Sequence, residues 1–278
     1  MAFLSRSPND PRLRSLIDYY YFHDSTDSRV DRFLFYPNIK NALTIYPNAR
    51  FEFRPLQSVC LPADEGQFAT AYSGIQTHCR LATIYGPFRK LGVVFQVLGI
   101  QYFLPESLSV YRTDAIDISF PHFGESFNEL SLAIWETDDL DQRVDLLDQF
   151  FGSRLLEFKS PILEKAVDAL LQPEQNWQVK ELAVHLGVNR KTLLRIFRKE
   201  LACSVRDFIQ VLRFRRALNH YQLATDKPLL TELAYQANYY DQAEFIHHFK
   251  RATGYNPKRF FKDLAQIGER ETFWTFLK

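Results

Sequence analysis

The chain has 278 residues, with 34 Lys+Arg against 33 Asp+Glu for a formal charge of +1, and it is 46% hydrophobic and 15% aromatic. This composition excludes an acidic disordered chain, and the overall balance by itself argues against a strongly basic nucleic-acid binder. No run approaches 18 consecutive apolar residues, and MAFLSRSPNDPRLR lacks the apolar core of a signal peptide. No membrane association is therefore expected, and the expected location is the cytoplasm.

The length suggests two domains. In the first half, short aromatic and β-branched runs at 32–36, 42–46, 50–53, 81–85 and 91–97 are punctuated by Pro37, Pro47, Pro55, Gly86, Pro87 and Gly92. Such runs predict strands of an antiparallel barrel or sandwich. The period then changes to three or four residues: Phe127, Leu130 and Ile134, followed by Val144, Leu147, Phe151, Leu155 and Phe158. Two helices are expected, at 124–136 and 139–158, with Asp138, Asp139 and Asp141 favouring the start of the second. Their apolar stripe suits either a dimer contact or packing on the strands. Ser160-Pro161 reads as an N-cap and first-turn pair for a helix through Leu171, and a domain boundary is placed near 159.

Charge divides at the same point. Residues 1–159 hold 15 Lys+Arg and 20 Asp+Glu, whereas residues 176–262 hold 16 and 7, a net of +9. A basic segment of this size points to a polyanion partner.

The second half repeats itself. Glu181-Leu182-Ala183 returns as Glu232-Leu233-Ala234, 51 residues on, while Leu193, Phe197 and Phe208 return as Phe245, Phe249 and Phe260, 52 residues on. The extra residue falls in the turn between two helices. In the first copy Gly187 supplies a left-handed turn and Asn189 caps the next helix. In the second, Asn238 and Asp241 take these parts. Leu193, Ile196, Phe197, Phe245 and Phe249 form inward stripes, and small Ala183 and Ala234 allow close helix approach. A helix over about 205–223 joins the copies. This is helix-turn-helix construction, whose second helix enters the major groove of DNA.

Residues 176–262 resemble the DNA-binding domain of the AraC/XylS transcription regulators, through KELAVHLGVNRKTLLRIFRKEL (180–201) and TELAYQANYYDQAEFIHHFKRATGYNPKRFF (231–261). The resemblance implies an all-α domain over 160–278, with units at about 179–201 and 230–251 reading two successive major grooves. Carried onto this sequence, it implies base reading by Lys191, Leu194 and Arg195, and by Gln242, Glu244, Ile246 and His247. It implies phosphate contacts from Arg190, Arg198, Lys199, Lys250, Arg251 and Lys258. Ala202 and Asn238 stand where the family often has Gly.

More loosely, YGPFRKLGVVFQVLGIQYFL (85–104) with the helical pair resembles a cupin-like sensor or dimerisation domain over 1–159. The expected fold is thus α+β and multidomain, a β-barrel or cupin-like domain followed by a double helix-turn-helix domain. Tyr19, Tyr20, Tyr21, Phe33, Phe35, Phe51 and Phe53 are candidates to line an effector pocket, although alternating strand aromatics usually form core.

Enzymatic readings find little. Neither an H-x-H nor an H-E-x-x-H metal pattern occurs, nor a G-x-S-x-G, P-loop or G-x-G-x-x-G motif. Cys60, Cys79 and Cys203 are too dispersed for a zinc cluster, which argues against a DNA-repair methyltransferase-like protein. The expectation is a non-enzymatic regulator without metal or cofactor. Its expected partners are operator DNA and a second copy of the chain, with RNA polymerase and a small-molecule effector as further candidates. The alternative is a regulator whose first half only dimerises.

Overall fold

A computed structural model describes residues 2–111, 123–263 and 274–276. The first half runs β1 (Ala2–Arg6), α1 (Pro11–Arg14), β2 (Ile17–Ser25), β3 (Val30–Phe35), β4 (Asn41–Pro47) and β5 (Ala49–Arg54). It continues with β6 (Gln57–Pro62), β7 (Phe68–Ser73), β8 (Arg80–Tyr85), β9 (Phe88–Phe95), a 3-10 turn (Ile100–Phe103), α2 (Leu108–Tyr111), α3 (Gly124–Glu136) and α4 (Leu140–Gly152).

Alternation along β2 shows how these elements layer. Tyr19 and Tyr21 face one side, into a core shared with Phe33, Tyr46, Cys60, Ile84 and Val94. Tyr20 and Phe22 face the other, where they meet Phe127, Ile134, Val144, Leu147 and Phe151 of α3 and α4. Both faces of this sheet are therefore covered, and β2, β4 and β9 read as nearly continuous apolar runs. The helical stripe considered for dimer contact is used within the chain. Asp148 fixes α4 in place by accepting from Tyr20 Oη at 2.8 Å and from the Asp10 backbone N–H at 2.7 Å.

The strands form two five-stranded sheets, β1-β2-β9-β4-β7 and β10-β3-β8-β6-β5, the last member β10 being Trp274–Phe276. The first is antiparallel throughout, and β6 runs parallel to β8 in the second. The expected barrel is corrected to two facing sheets, because no ladder joins one sheet to the other among the described residues. The chain changes sheet between β4 and β5 at Asn48, whose φ of 53° turns the backbone after Pro47. A proline cannot donate to a ladder, so it suits a strand end.

The second half is helical: α5 (Pro161–Leu171), α6 (Val179–His185), α7 (Arg190–Leu201), α8 (Val205–Leu223), α9 (Leu230–Gln236), α10 (Gln242–Thr253) and α11 (Pro257–Asp263). Ser160 precedes α5 as expected, but its hydroxyl makes no cap. Instead its backbone N–H donates to Glu164 Oε1 at 2.8 Å. The predicted helix 139–158 ends at Gly152, where the Ser153 N–H closes the last turn on Gln149 O. Among the described residues, no helix is long and apolar enough to cross a membrane.

Candidate nucleic-acid interface

The repeated Glu-Leu-Ala builds the first helix of each unit in the same way. Glu181 accepts from the Gln178 N–H at 3.1 Å, and Glu232 accepts from the Leu229 N–H at 2.9 Å, so each closes its own helix start. Leu182 and Leu233 are fully buried, and Ala183 and Ala234 are buried in the cores of their units. The turn then doubles back, with Val188 N–H donating to Ala183 O at 3.0 Å and Tyr239 N–H to Ala234 O at 2.9 Å. The left-handed residues are Gly187 at φ 66° and Asn238 at φ 61°.

Asn189 Oδ1 accepts from the Thr192 N–H at 2.8 Å, and Asp241 Oδ1 accepts from the Glu244 N–H at 2.7 Å. Such N-cap bonds satisfy donors that the helix itself cannot. Val188 and Tyr239 share one backbone role, so the inserted residue of the second unit is Tyr240. It is 93% exposed, immediately before the cap of α10. The spacing of the repeat marks the insertion but not the side chain it displays.

On α7, Leu193 and Phe197 are buried, while Arg190, Lys191, Arg195, Arg198 and Lys199 are exposed and Leu194 is half-buried. Lys199 Nζ stands 3.1 Å from Glu200 Oε1. A shallow groove beside α7 is lined by Asn189, Arg190, Lys191, Leu194, Arg198 and Arg206. Arg206, in the first turn of α8, escaped the sequence reading. Its signal is a cation next to the Ser204 cap, at the end of the linker that faces α7.

On α10, Phe245 and Phe249 are buried. Gln242 is half-buried, and Glu244, His247 and Lys250 are exposed. Glu244 is already engaged, accepting from the Tyr240 N–H at 2.7 Å and lying 3.5 Å from Arg213 Nη1. Ile246 packs partly onto the core of its own unit. Arg251 donates to Gln210 Oε1 at 2.8 Å and, with His78, lines a hollow beside the first half. Lys258 is exposed at the start of α11. The buried His248 shares a 2.6 Å hydrogen bond through Nδ1 with Tyr239 Oη. Burial, and then Arg251 and Arg213, hold its pKa down at about 4.

Between the two sheets lies a cavity of about 60 Å³, lined in part by Tyr19, Tyr21, Phe35, Phe51 and Phe53. Of the aromatics considered for a pocket, Tyr20 and Phe33 do not line it. Three cations do: Lys40, Arg80 and Lys90. Lys40 Nζ reaches Asp18 Oδ2 at 2.9 Å. Lys90 lies 5.1, 5.4 and 5.5 Å from the ring centres of Tyr21, Phe35 and Tyr46, and burial lowers its pKa to about 7. Strand parity carries a signal for it, because Phe88, Lys90 and Val94 share the inner face of β9. Cys60, Cys79 and Cys203 are buried in three separate clusters.

Two helix-turn-helix units of matching local build, joined by α8 and following the two sheets in the chain, define a double helix-turn-helix domain of the DNA-binding type. Residues 182–263 match the family model described as a helix-turn-helix domain, and this region is of the AraC type. The Msm operon regulatory protein of Streptococcus mutans is 29% identical over 87 residues, and that match spans 31% of this chain and 31% of the relative. Among solved structures, ToxT from Vibrio cholerae aligns over 96% of this chain and all of its own, at 13% identity and a TM-score of 0.49. The C-terminal domain of AraT, a response regulator from Geobacillus stearothermophilus, aligns over 40% of this chain and 90% of its own, at 24% identity and a TM-score of 0.34.

Proposed function

We propose that the chain is a sequence-specific transcription regulator whose two units read successive major grooves of operator DNA. The observation that carries this reading is the pair of capped recognition helices, α7 and α10, built on the same turn and exposed along their N-terminal halves. Lys191, Leu194 and Arg195 then read bases in the first half-site, and Gln242 and His247 read bases in the second. Glu244 and Ile246 give part of their surface to the fold and shape that reading face. Arg190, Arg198, Lys199, Lys250, Arg251 and Lys258 approach phosphates, which position the protein without specifying sequence. Arg206 and Tyr240 join the contact surface.

In the same reading, residues 1–159 form a sensor and residues 160–278 the DNA-binding domain, with the cavity between the sheets taking a small-molecule effector. Among the described residues none that lines it is acidic, and Arg80, Lys90 and the Asp18-paired Lys40 do line it, so the fitting ligand is anionic with an apolar body. A second copy of the chain, if it pairs, uses faces other than the stripe that α3 and α4 bury.

The test is selection of bound sequences from a random duplex pool by the full chain, followed by titration of Arg195→Ala. The variant is expected to lose about 1–3 kcal/mol and to relax preference within one half-site. Recovery of no sequence preference by the unaltered chain, or unchanged selectivity in the variant, overturns the assignment.

A further inference from the structure

The last turn of an α-helix leaves backbone carbonyls without intrahelical partners. In each recognition helix, one carbonyl of that turn is taken by a donor from the first half of the chain. Gln101 Nε2, on the 3-10 turn, donates to Glu200 O at 2.6 Å. The backbone N–H of Cys79, between β7 and β8, donates to Ala252 O at 2.7 Å.

The two acceptors are 52 residues apart, the separation that also relates Leu193 to Phe245 and Phe197 to Phe249. They are the same position of the repeat. Both contacts are shielded from water, since Gln101, Cys79, Glu200 and Ala252 are all buried. Apolar packing flanks each. Ala202 lies against the core that includes Phe103 and Leu104, and Tyr36 packs on Phe260 with ring centres 5.0 Å apart. The N-terminal halves of α7 and α10 stay exposed, so the first half holds both helices by the ends that point away from the groove.

We propose that Gln101 and the Cys79 N–H are positioning groups that fix the two recognition helices at one mutual spacing and angle. The first half thereby sets which separation of half-sites the chain accepts. This rests on both units being readers of DNA. Within the helical half the units are joined through α8, 19 residues and about 28 Å long, and by Asn238 Nδ2, which donates to Pro173 O and Gln175 O at 3.4 Å; neither link holds the last turn of a recognition helix.

The experiment uses the full chain and a duplex it selects from a random pool, together with duplexes in which one base pair is added or removed between the half-sites. Gln101→Met keeps the length and burial of the side chain and removes the donor. The unaltered chain should prefer one spacing, and the variant should lose roughly 2- to 13-fold of that preference, the equilibrium effect of one net hydrogen bond. Affinity for a duplex carrying a single half-site should be unchanged. A merely destabilised chain would bind every spacing less well by the same factor, so that result, or a spacing profile equal to the unaltered chain's, overturns the proposal. If the unaltered chain selects no sequence at all, the DNA-binding reading fails first and takes this proposal with it. Should Gln101→Met not fold, hydrogen exchange of the unaltered chain decides. A slowly exchanging Cys79 amide, both free and on DNA, supports the anchor, and fast exchange overturns it.

Discussion

The salt dependence of DNA binding measures how many of the assigned phosphate contacts form. Six cations are assigned to phosphates, but Lys199 is held 3.1 Å from Glu200 and Arg251 is bonded to Gln210, which leaves Arg190, Arg198, Lys250 and Lys258 exposed and without such a partner among the described residues. Each phosphate neutralised releases counterions and contributes about −0.9 to the slope of log affinity against log salt. Four contacts give a slope of about −3.6, and six give about −5.4, so raising salt from about 50 to about 200 mM should weaken binding roughly 150- to 1800-fold. Arg198→Gln should flatten the slope by about 0.9, and Lys199→Gln should move it less if the Glu200 pair persists on DNA. Fluorescence anisotropy of a labelled selected duplex, repeated across that salt range, reads both slopes. A slope near −1 for the unaltered chain, or no change on losing Arg198, would refute the assignment of these side chains to the DNA backbone.

Two further outcomes follow from backbone and burial. Ala202 ends α7 at φ 51°, and a left-handed alanine costs about 1 kcal/mol, so Ala202→Gly should raise stability by somewhat less than that after its methyl contact is lost. A lower urea midpoint for the variant would show that the packing of Ala202 outweighs its strain. His248 is held near pKa 4 against an ordinary 6.5, so between those values the unfolded chain binds more protons than the folded one. Its contribution is complete above about pH 6.5 and is lost as pH falls toward 4, for a total of about 3 kcal/mol. Urea unfolding of the chain and of His248→Gln at several pH values isolates this part. Equal pH slopes for the two proteins would show that His248 titrates normally.

The parts of the molecule governed by local rules were legible in the sequence. α3 begins at Gly124 and ends at Glu136, and α8 spans Val205–Leu223, both as periodicity predicts, and at the start of α8 the Ser204 cap coincides with that spacing. Asn189, Asp241, Gly187 and Asn238 perform the cap and turn duties their chemistry suggests. What escaped depends on distant partners. β2 was not singled out, since Tyr19 to Phe22 is apolar on both faces and shows no alternation until sheet and helices cover both sides. β6 takes its place between β5 and β8, and its parallel pairing with β8 joins strands far apart in the sequence. The exposure of Glu244 was legible, but its bond to the Tyr240 N–H and its approach to Arg213 of α8 were not. Strand parity puts Lys90 on the inner face of β9, but the rings it meets and the carbonyl that Gln101 meets lie far away in the sequence.

The extra residue of the second turn, Tyr240, gives the two units unlike faces: one is a field of arginine and lysine, the other an aromatic ring beside an amide and an imidazole. No rotation can exchange them. A chain seated on DNA through such a pair has a head and a tail, and its binding site needs no internal symmetry. Reversing the site turns the sheet domain to face the opposite way along the duplex. If both units read DNA as proposed, direction, which symmetric dimers of identical units must obtain from another source, comes from the inserted tyrosine and the unlike side chains around it.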